Sequence, residues 1–170
     1  MADELVDIID RDNNVIGKGL KSAAHKTGLR HRVSAVLLQR EDGRFLIPTA
    51  SQKKAEAGRL YHSAAGHLHS GETYQESAKR ELLEEVGIRV DKVEYLGAFW
   101  FEKDYAARKE KERFEVYLAK YSSNMGRIKL NDEQTDERWL SKEEIRLIYE
   151  EQRDRISAPL ELTCKSIFKF

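Results

Sequence analysis

Three glutamates lie within five positions of one stretch of this 170-residue sequence, at Glu81, Glu84 and Glu85. At 3.6 residues per turn, Glu81 and Glu85 share one face of a helix, and Glu84 lies on the flank of that face. Like charges at this spacing cost a helix roughly 0.2–0.5 kcal/mol per pair, a cost that a bound cation would remove. Carboxylate oxygens are the ligands that Mg²⁺ and Mn²⁺ prefer. The pattern indicates either a metal site or an ordinary amphipathic helix with a solvated acidic face.

The flanking residues predict where this helix begins and ends. Thr73 and Glu76 have the spacing of a capping box, and Gly87 stands where a left-handed residue ends a helix. We therefore predict a helix from Tyr74 to Val86. Its apolar face is expected to pack on the core, through Ala78, Leu82, Leu83 and Val86.

The whole stretch resembles the Nudix box, G-x₅-E-x₇-R-E-U-x-E-E-x-G-U, where U is a bulky aliphatic residue. All nine constrained positions over 23 residues are filled, by Gly66, Glu72, Arg80, Glu81, Leu82, Glu84, Glu85, Gly87 and Ile88. A match of this length favours the motif over a solvated amphipathic helix. The resemblance implies an α/β architecture, the Nudix fold, with a mixed β-sheet in a three-layer α/β/α sandwich.

The Nudix resemblance also implies a chemistry, the metal-dependent hydrolysis of a diphosphate linkage in a nucleoside diphosphate derivative or another organic diphosphate. We expect Mg²⁺ or Mn²⁺ bound by Glu81 and Glu85, whose spacing lets both reach one ion. Glu84 is expected to be a further ligand or the base for water. A guanidinium does not titrate, so Arg80 is expected to act by orienting a partner such as Glu72. Glu72 itself is a candidate second-ion ligand, or a capping or salt-bridge residue.

Further candidates lie outside the acidic helix face. His67 and His69 are candidates for phosphate contact, or for a structural hydrogen-bonding role. Glu115 interrupts an apolar strand, and we expect it to bind substrate or to act as the base. Glu112 and Asp104 are alternative bases, and the ordinary interpretation of all three acids is a solvated surface carboxylate.

Beyond the box, the chain resembles Nudix proteins of the isopentenyl-diphosphate-isomerase-like group. This resemblance extends from about Glu4 to Ser141. Isomerases of this group use a cysteine just before the box for proton transfer, and its position here is Ala65. Cys164 lies about a hundred residues away. This difference favours a hydrolase over an isomerase.

The metal site of these isomerases contains histidines and a pair of glutamates from a later strand. His25 and His67 match two of the histidines, and His31 lies near a third. The glutamate pair aligns with Lys111 and Arg113, which would reverse the charge of that part of the site. This alignment also argues against an isomerase.

A non-catalytic Nudix module that binds or senses a nucleotide is the remaining alternative. Such modules commonly lose one or more carboxylates of the box, whereas this chain retains them all. The sequence therefore favours an enzyme.

Composition limits the classes of partner. Thirty basic and thirty acidic residues balance, so nothing predicts binding to nucleic acid or to an anionic membrane. The chain has no apolar run long enough to span a membrane and no signal-peptide pattern. A single cysteine, Cys164, fits a reducing compartment. We expect one domain over residues 1–170, a cytoplasmic location and a small-molecule diphosphate substrate; the oligomeric state stays open.

The rest of the chain predicts mixed secondary structure. LVDII and VIGKGL form an expected hairpin, residues 21–27 a short helical turn, and a second hairpin turns at EDG. The almost wholly charged residues 102–112 are expected to form a solvated loop. Ser141 and Glu144 form a second capping box ahead of a helix, and a last helix is predicted over residues 159–168. Substrate specificity is expected to depend on residues 49–59 and 102–112.

Overall fold

The computed structural model of the chain describes residues 3–170. Its helices and strands, in chain order, are β1 Leu5–Ile9, β2 Val15–Leu20, α1 Lys21–Thr27, β3 His31–Arg40, β4 Phe45–Leu46, β5 Thr49–Ala50, β6 Ala64–His67, α2 Tyr74–Val86, β7 Glu94–Tyr105, β8 Arg108–Tyr121, β9 Gln134–Thr135, β10 Trp139–Leu140, α3 Lys142–Glu151 and α4 Ala158–Thr163. Among these residues, no helix is both long and apolar enough to cross a membrane.

The largest sheet is mixed, as the sequence predicts. Its strand order is β10-β4-β3-β8-β7, and β6 also pairs with β3. Strands β3 and β8 are parallel, whereas β3–β6 and β7–β8 are antiparallel. Two separate two-stranded sheets accompany it, β1–β2 and β5–β9. The hairpin predicted at the amino-terminal end is therefore confirmed.

Helices cover both faces of the mixed sheet. Alternate side chains of β3 belong to two different apolar clusters, with Val33 and Leu37 in one, and Val36 and Leu38 in the other. The first cluster continues into α3 and α4, and the second into α2. Because successive residues of a strand point to opposite faces, one buried strand supplies both cores. The three-layer α/β/α sandwich is confirmed.

Helix α2 has the bounds predicted from its capping signals. Thr73 accepts a hydrogen bond from the backbone of Glu76, whose side chain accepts one from the backbone of Thr73. Gly87 takes the left-handed conformation with φ of 75°. The predicted apolar face is buried except at Leu83, whose side chain is exposed instead. Leu83 lies on the outward side of α2, away from Glu81 and Glu85, so that part of the prediction was wrong.

Removal of this cap tests how much it contributes to the stability of the folded protein. Thr73→Ala is expected to lower the free energy of unfolding by about 1 kcal/mol, because one backbone N–H at the start of α2 loses its acceptor. Urea unfolding monitored by circular dichroism measures this change. Thr73→Ser, which retains the hydroxyl group, is the control, and an equal loss in both variants would contradict the assignment.

Residues 102–112 form paired strands, and the prediction of a solvated loop was wrong. Strands β7 and β8 pair continuously up to Tyr105 and Arg108. The charged residues alternate across the hairpin, so that Glu110 and Glu112 are buried and Lys109 is exposed. High charge predicted exposure for every residue, whereas strand alternation turns two glutamates inward.

Candidate active site

A cleft of about 820 Å³ lies between α2, β6, β8 and two loops. Its wall includes four residues of α2, namely Arg80, Glu81, Glu84 and Glu85. The side of the cleft formed by β6 and β8 contributes His67 and Glu112, and the loop after β5 contributes Lys53 and Lys54. The cleft therefore joins the acidic face of α2 to polar residues from distant parts of the chain.

Glu81 and Glu85 are buried carboxyl groups in the wall of this cleft. Their exposed fractions are 8% and 3%. Burial raises the pKa of Glu81 to about 7, against the opposing effect of Arg80. Burial likewise raises the pKa of Glu85 to about 7, against the effect of Lys54. Raised pKa values in a cleft are typical of functional carboxylates, and a divalent cation would favour the ionised forms.

Arg80 connects the box carboxylates to the backbone. Its Nε and Nη2 donate to the two oxygens of Glu72, at 2.8 and 2.9 Å. Nη2 also donates to the carbonyl of His67 at 2.9 Å, and Nη1 contacts Glu81 and Glu84. Burial alone would raise the pKa of Glu72, but the hydrogen bonds from Arg80 outweigh it and the pKa is lowered. The structure thus places Arg80 as a bidentate partner of Glu72.

Glu84 and Glu72 occupy different surroundings from the two buried carboxyl groups. The Glu84 side chain is 56% exposed and lines the cleft. Glu72 does not line the cleft and accepts a hydrogen bond from the backbone N–H of His69 at 2.9 Å. This geometry supports a loop-stabilising role for Glu72 and leaves Glu84 accessible to solvent in the cleft.

Gly66 provides the space for the Glu81 carboxylate. A Cβ atom at this position would overlap the Glu81 side chain. We expect Gly66→Ala to displace Glu81 and lower metal-dependent turnover by about a hundredfold, since a misplacement near 1 Å has that order of effect. Steady-state kinetics and thermal unfolding of the variant test this. In the control Gly17→Ala, nothing lies within 4 Å of the added Cβ, and equal activity of the two variants would contradict the explanation.

Three histidines and one glutamate form a second polar cluster beside the box. The four residues are His25, His31, His67 and Glu112, each with one potential ligand atom, and these atoms lie within 4.8 Å of one another. The parallel register pairs His31 with Glu112, and the antiparallel register of β6 places His67 opposite Val33. Sheet topology therefore assembles residues that are up to 87 positions apart in the sequence.

The donor atoms of this cluster suit a divalent metal. His31 Nδ1 donates to the carbonyl of Leu29 at 2.8 Å, and its Nε2 points into the cluster, 3.4 Å from Glu112 Oε1. Within residues 3–170, this buried Nε2 has no hydrogen-bond partner. Burial lowers the pKa of His67 to about 4, so its ring is neutral near pH 7. Imidazoles together with a carboxylate fit Mn²⁺ or Zn²⁺.

Glu110 and Arg108 lie next to the histidine cluster. Glu110 Oε2 is 3.0 Å from His25 Nδ1, and Arg108 Nη2 is 2.9 Å from His25 Nε2. Arg108 also forms an ion pair with Glu110. Lys111 and Arg113, with which the isomerase glutamate pair was expected to align, are only half-buried and do not line the cleft. The inward residues of β8 are Glu110 and Glu112, and that register depends on the β7–β8 turn.

Two predicted substrate-binding residues lie outside the cleft. His69 is exposed, and its backbone rather than its ring contacts the box through Glu72. Glu115 points to the opposite face of β8 from Glu112 and accepts a hydrogen bond from the hydroxyl of Tyr117 at 2.5 Å. Asp104, an alternative base, does not line the cleft either. The structure thus argues against a substrate contact for His69 and Glu115. His67, by contrast, lines the cleft.

The sequence did not predict two residues that contact Glu85. These residues are Lys54 and Gln134. Lys54 Nζ lies 3.2 Å from Glu85 Oε1 and 3.0 Å from Glu133. Gln134 Nε2 donates to Glu85 Oε2 at 2.5 Å. Neither contact has a local sequence signal, because both cross more than thirty positions of the chain.

Comparison with known proteins agrees with this architecture. The model of the NUDIX domain family matches residues 29–160. An uncharacterized Nudix hydrolase of Yersinia pestis is 34% identical over 145 residues, which cover 84% of this chain and 75% of that protein. An isopentenyl-diphosphate Delta-isomerase of Serratia proteamaculans is 34% identical over 90 residues, so this chain spans only 50% of its length.

A solved structure from Deinococcus radiodurans shows the same fold. It superposes with a TM-score of 0.73 at 23% identity, over 93% of this chain and 95% of that one. The fold, the intact box and the family match agree with one another. The chain therefore belongs to the Nudix hydrolase family.

Proposed function

We propose that this protein hydrolyses a diphosphate linkage in a nucleoside diphosphate derivative or another organic diphosphate, with Mg²⁺ or Mn²⁺ as cofactor. The observation that carries the proposal is the pair of buried carboxyl groups, Glu81 and Glu85, in the cleft wall with pKa values of about 7. Family membership supports the reaction class. The carboxylates at the cleft supply the oxygen ligands that Mg²⁺ requires.

The charge of the cleft supports dependence on metal. Its lining contains ten acidic and five basic side chains, with the histidine excluded. A diphosphate is itself an anion, so the cleft alone would repel it. Divalent cations held by the acidic side chains would reverse this repulsion, and a bound divalent cation also lowers the pKa of a bound water.

We propose a separate role for each of these residues. Glu81 and Glu85 hold the cation, and Arg80 keeps Glu81 oriented by binding Glu72 and the His67 carbonyl. Glu84 is the accessible carboxylate, and we propose that it accepts a proton from the attacking water or serves as a further ligand. His67 faces the cleft and is proposed as a metal ligand or a phosphate contact.

A screen for hydrolysis of the diphosphate linkage, with products separated by anion-exchange chromatography, tests the proposal. The substrates are nucleoside di- and triphosphates, dinucleotide polyphosphates, nucleotide sugars and isoprenoid diphosphates, each with Mg²⁺ or Mn²⁺. We expect metal-dependent turnover of at least one class in the wild type and its loss in Glu85→Gln. Absence of turnover in folded wild-type protein, together with tight nucleotide binding, would favour the sensing module instead.

Isomerisation of a diphosphate is the second candidate function, and the histidine cluster is the observation that favours it. Glu110 and Glu112 contact these histidines, and we propose that they, rather than Lys111 and Arg113, correspond to the glutamate pair of the isomerases. Ala65 still lacks a group for proton transfer, which favours hydrolysis. Incubation with isopentenyl diphosphate in deuterated water distinguishes the two reactions, because isomerisation incorporates deuterium without releasing phosphate.

The proposed partner is a small molecule, and we also propose a cytoplasmic location. Cys164 is free and buried, as expected for a thiol in a reducing compartment.

A further inference from the structure

Glu85 differs from the other carboxylates of α2 because two separate segments hold its two oxygens. Lys54, from the loop after β5, approaches Oε1 from the cleft. Gln134, the first residue of β9, donates to Oε2. The backbone N–H of Asn131 also donates to the Glu85 carbonyl at 2.9 Å. Glu85 is thus the point at which α2, the 51–59 loop and the 131–135 segment meet.

The orientation of the Gln134 amide is determined by its neighbours. Its Nε2 donates to the backbone carbonyl of Ser63 at 2.9 Å as well as to Glu85. A carbonyl only accepts hydrogen bonds, so the amide cannot be reversed without the loss of this bond. Both N–H groups of Gln134 are therefore engaged, one by the Ser63 carbonyl and one by Glu85.

Gln134 is separated from any substrate in the cleft. It is 3% exposed and does not line the cleft, whereas Glu85 does. Pairing of β9 with β5 places Gln134 opposite Ala50, which holds its backbone in the sheet. Any influence of Gln134 on the reaction must therefore pass through Glu85 or through the stability of the fold.

We propose that Gln134 is a positioning residue for the metal site, holding Glu85 Oε2 so that Oε1 is presented to a divalent cation in the cleft. A neutral amide suits this task, because it binds the carboxylate without adding a cation that competes with the metal. Lys54 occupies the Oε1 side and is the cation that a metal would have to displace. This inference rests on the proposed function, in which Glu85 is a metal ligand.

Titration of the metal-free full-length protein with Mg²⁺, followed by calorimetry, tests the proposal. Partners that orient a metal ligand typically change affinity or activity ten- to a hundredfold. We expect Gln134→Leu to weaken Mg²⁺ binding by about tenfold or more and to raise the Mg²⁺ concentration for half-maximal turnover equally. At saturating Mg²⁺, kcat should fall while KM for the substrate stays unchanged.

A double-mutant cycle separates positioning from a general loss of stability. In the Glu85→Gln background, Gln134→Leu should weaken Mg²⁺ binding no further, because the group it orients is already lost. Thr163→Val is the matched control, since it removes a buried 2.8 Å hydrogen bond to His62 away from the cleft. That variant should lose stability and retain the Mg²⁺ affinity of the wild type.

Two results would overturn the inference and leave the proposed function intact. One is a Gln134→Leu variant with the Mg²⁺ affinity of the wild type. The other is an effect of Gln134→Leu on Mg²⁺ affinity that adds in full to that of Glu85→Gln. Absence of Mg²⁺ binding and turnover in the wild type would instead overturn both. If Gln134→Leu fails to fold, Gln134→Met, which retains the length of the side chain, provides the same two measurements.

Discussion

Glu81→Gln is expected to lower metal-dependent turnover by about a thousandfold and, in the metal-free protein, to increase stability. Loss of a ligand removes several kcal/mol of charge stabilisation, and about 4 kcal/mol corresponds to a thousandfold in rate. Glutamine retains the size of the side chain and still accepts a hydrogen bond from Arg80. The fold should therefore persist while the reaction is lost.

The stability gain follows from the pKa of Glu81. Burial raises this pKa from 4.5 to about 7, so the folded protein binds the proton more tightly than the unfolded chain does. The free energy of unfolding of the wild type therefore falls as the pH rises from about 4.5 to 7. Glutamine removes that loss, which amounts to roughly 3 kcal/mol at pH 8 and disappears below about pH 4.5.

Urea unfolding in the presence of a chelator, at pH 8 and pH 4.5, measures this difference between Glu81→Gln and the wild type. Glu84→Gln is the matched control for stability, because Glu84 lies on the same helix with a side chain that is 56% exposed. It should show no comparable gain. If Glu81→Gln is less stable than the wild type at pH 8, then burial of the ionised Glu81 carboxylate does not destabilise the metal-free protein.

His31→Gln is expected to abolish most of the thermal stabilisation that Zn²⁺ gives to the wild type. A metal present at about a thousandfold above its Kd stabilises a folded protein by about 4 kcal/mol. For a chain of this length, that corresponds to a rise in Tm of about 10 °C. Because His31 Nε2 is one of the four potential ligand atoms of the cluster and contacts no residue of α2, its loss should remove one ligand without disturbing the box.

Thermal unfolding with and without each metal measures the change, with the metal-free variant as its own baseline. Glu85→Gln should retain the Zn²⁺ shift, because Glu85 belongs to the carboxylate site rather than to the histidine cluster. Ca²⁺, which prefers oxygen ligands, should give a smaller shift in the wild type. Equal Zn²⁺ shifts in His31→Gln and the wild type would show that the cluster binds no metal.

Local sequence patterns correctly predicted the helices and strands whose bounds are set by residues close in the sequence. The bounds of α2 were predicted correctly because its caps, Thr73, Glu76 and Gly87, act within one or two turns. The β1–β2 hairpin and the helix after Ser141 were predicted for the same reason. The error at residues 102–112 arose because a high density of charge suggests solvent, whereas the two inward glutamates of a strand are matched by histidines from elsewhere in the chain.

The sequence by itself determined the family, the acidic face of α2 and the residues that make up the box, because their spacing is local. Tertiary structure alone decided which residues from distant segments come together at the site. The parallel register of β3 and β8 brings His31 to Glu112, and pairing of β9 with β5 brings Gln134 to Glu85. Strand register depends on packing across the whole sheet, and no residue in one segment encodes the distance to its partner in another.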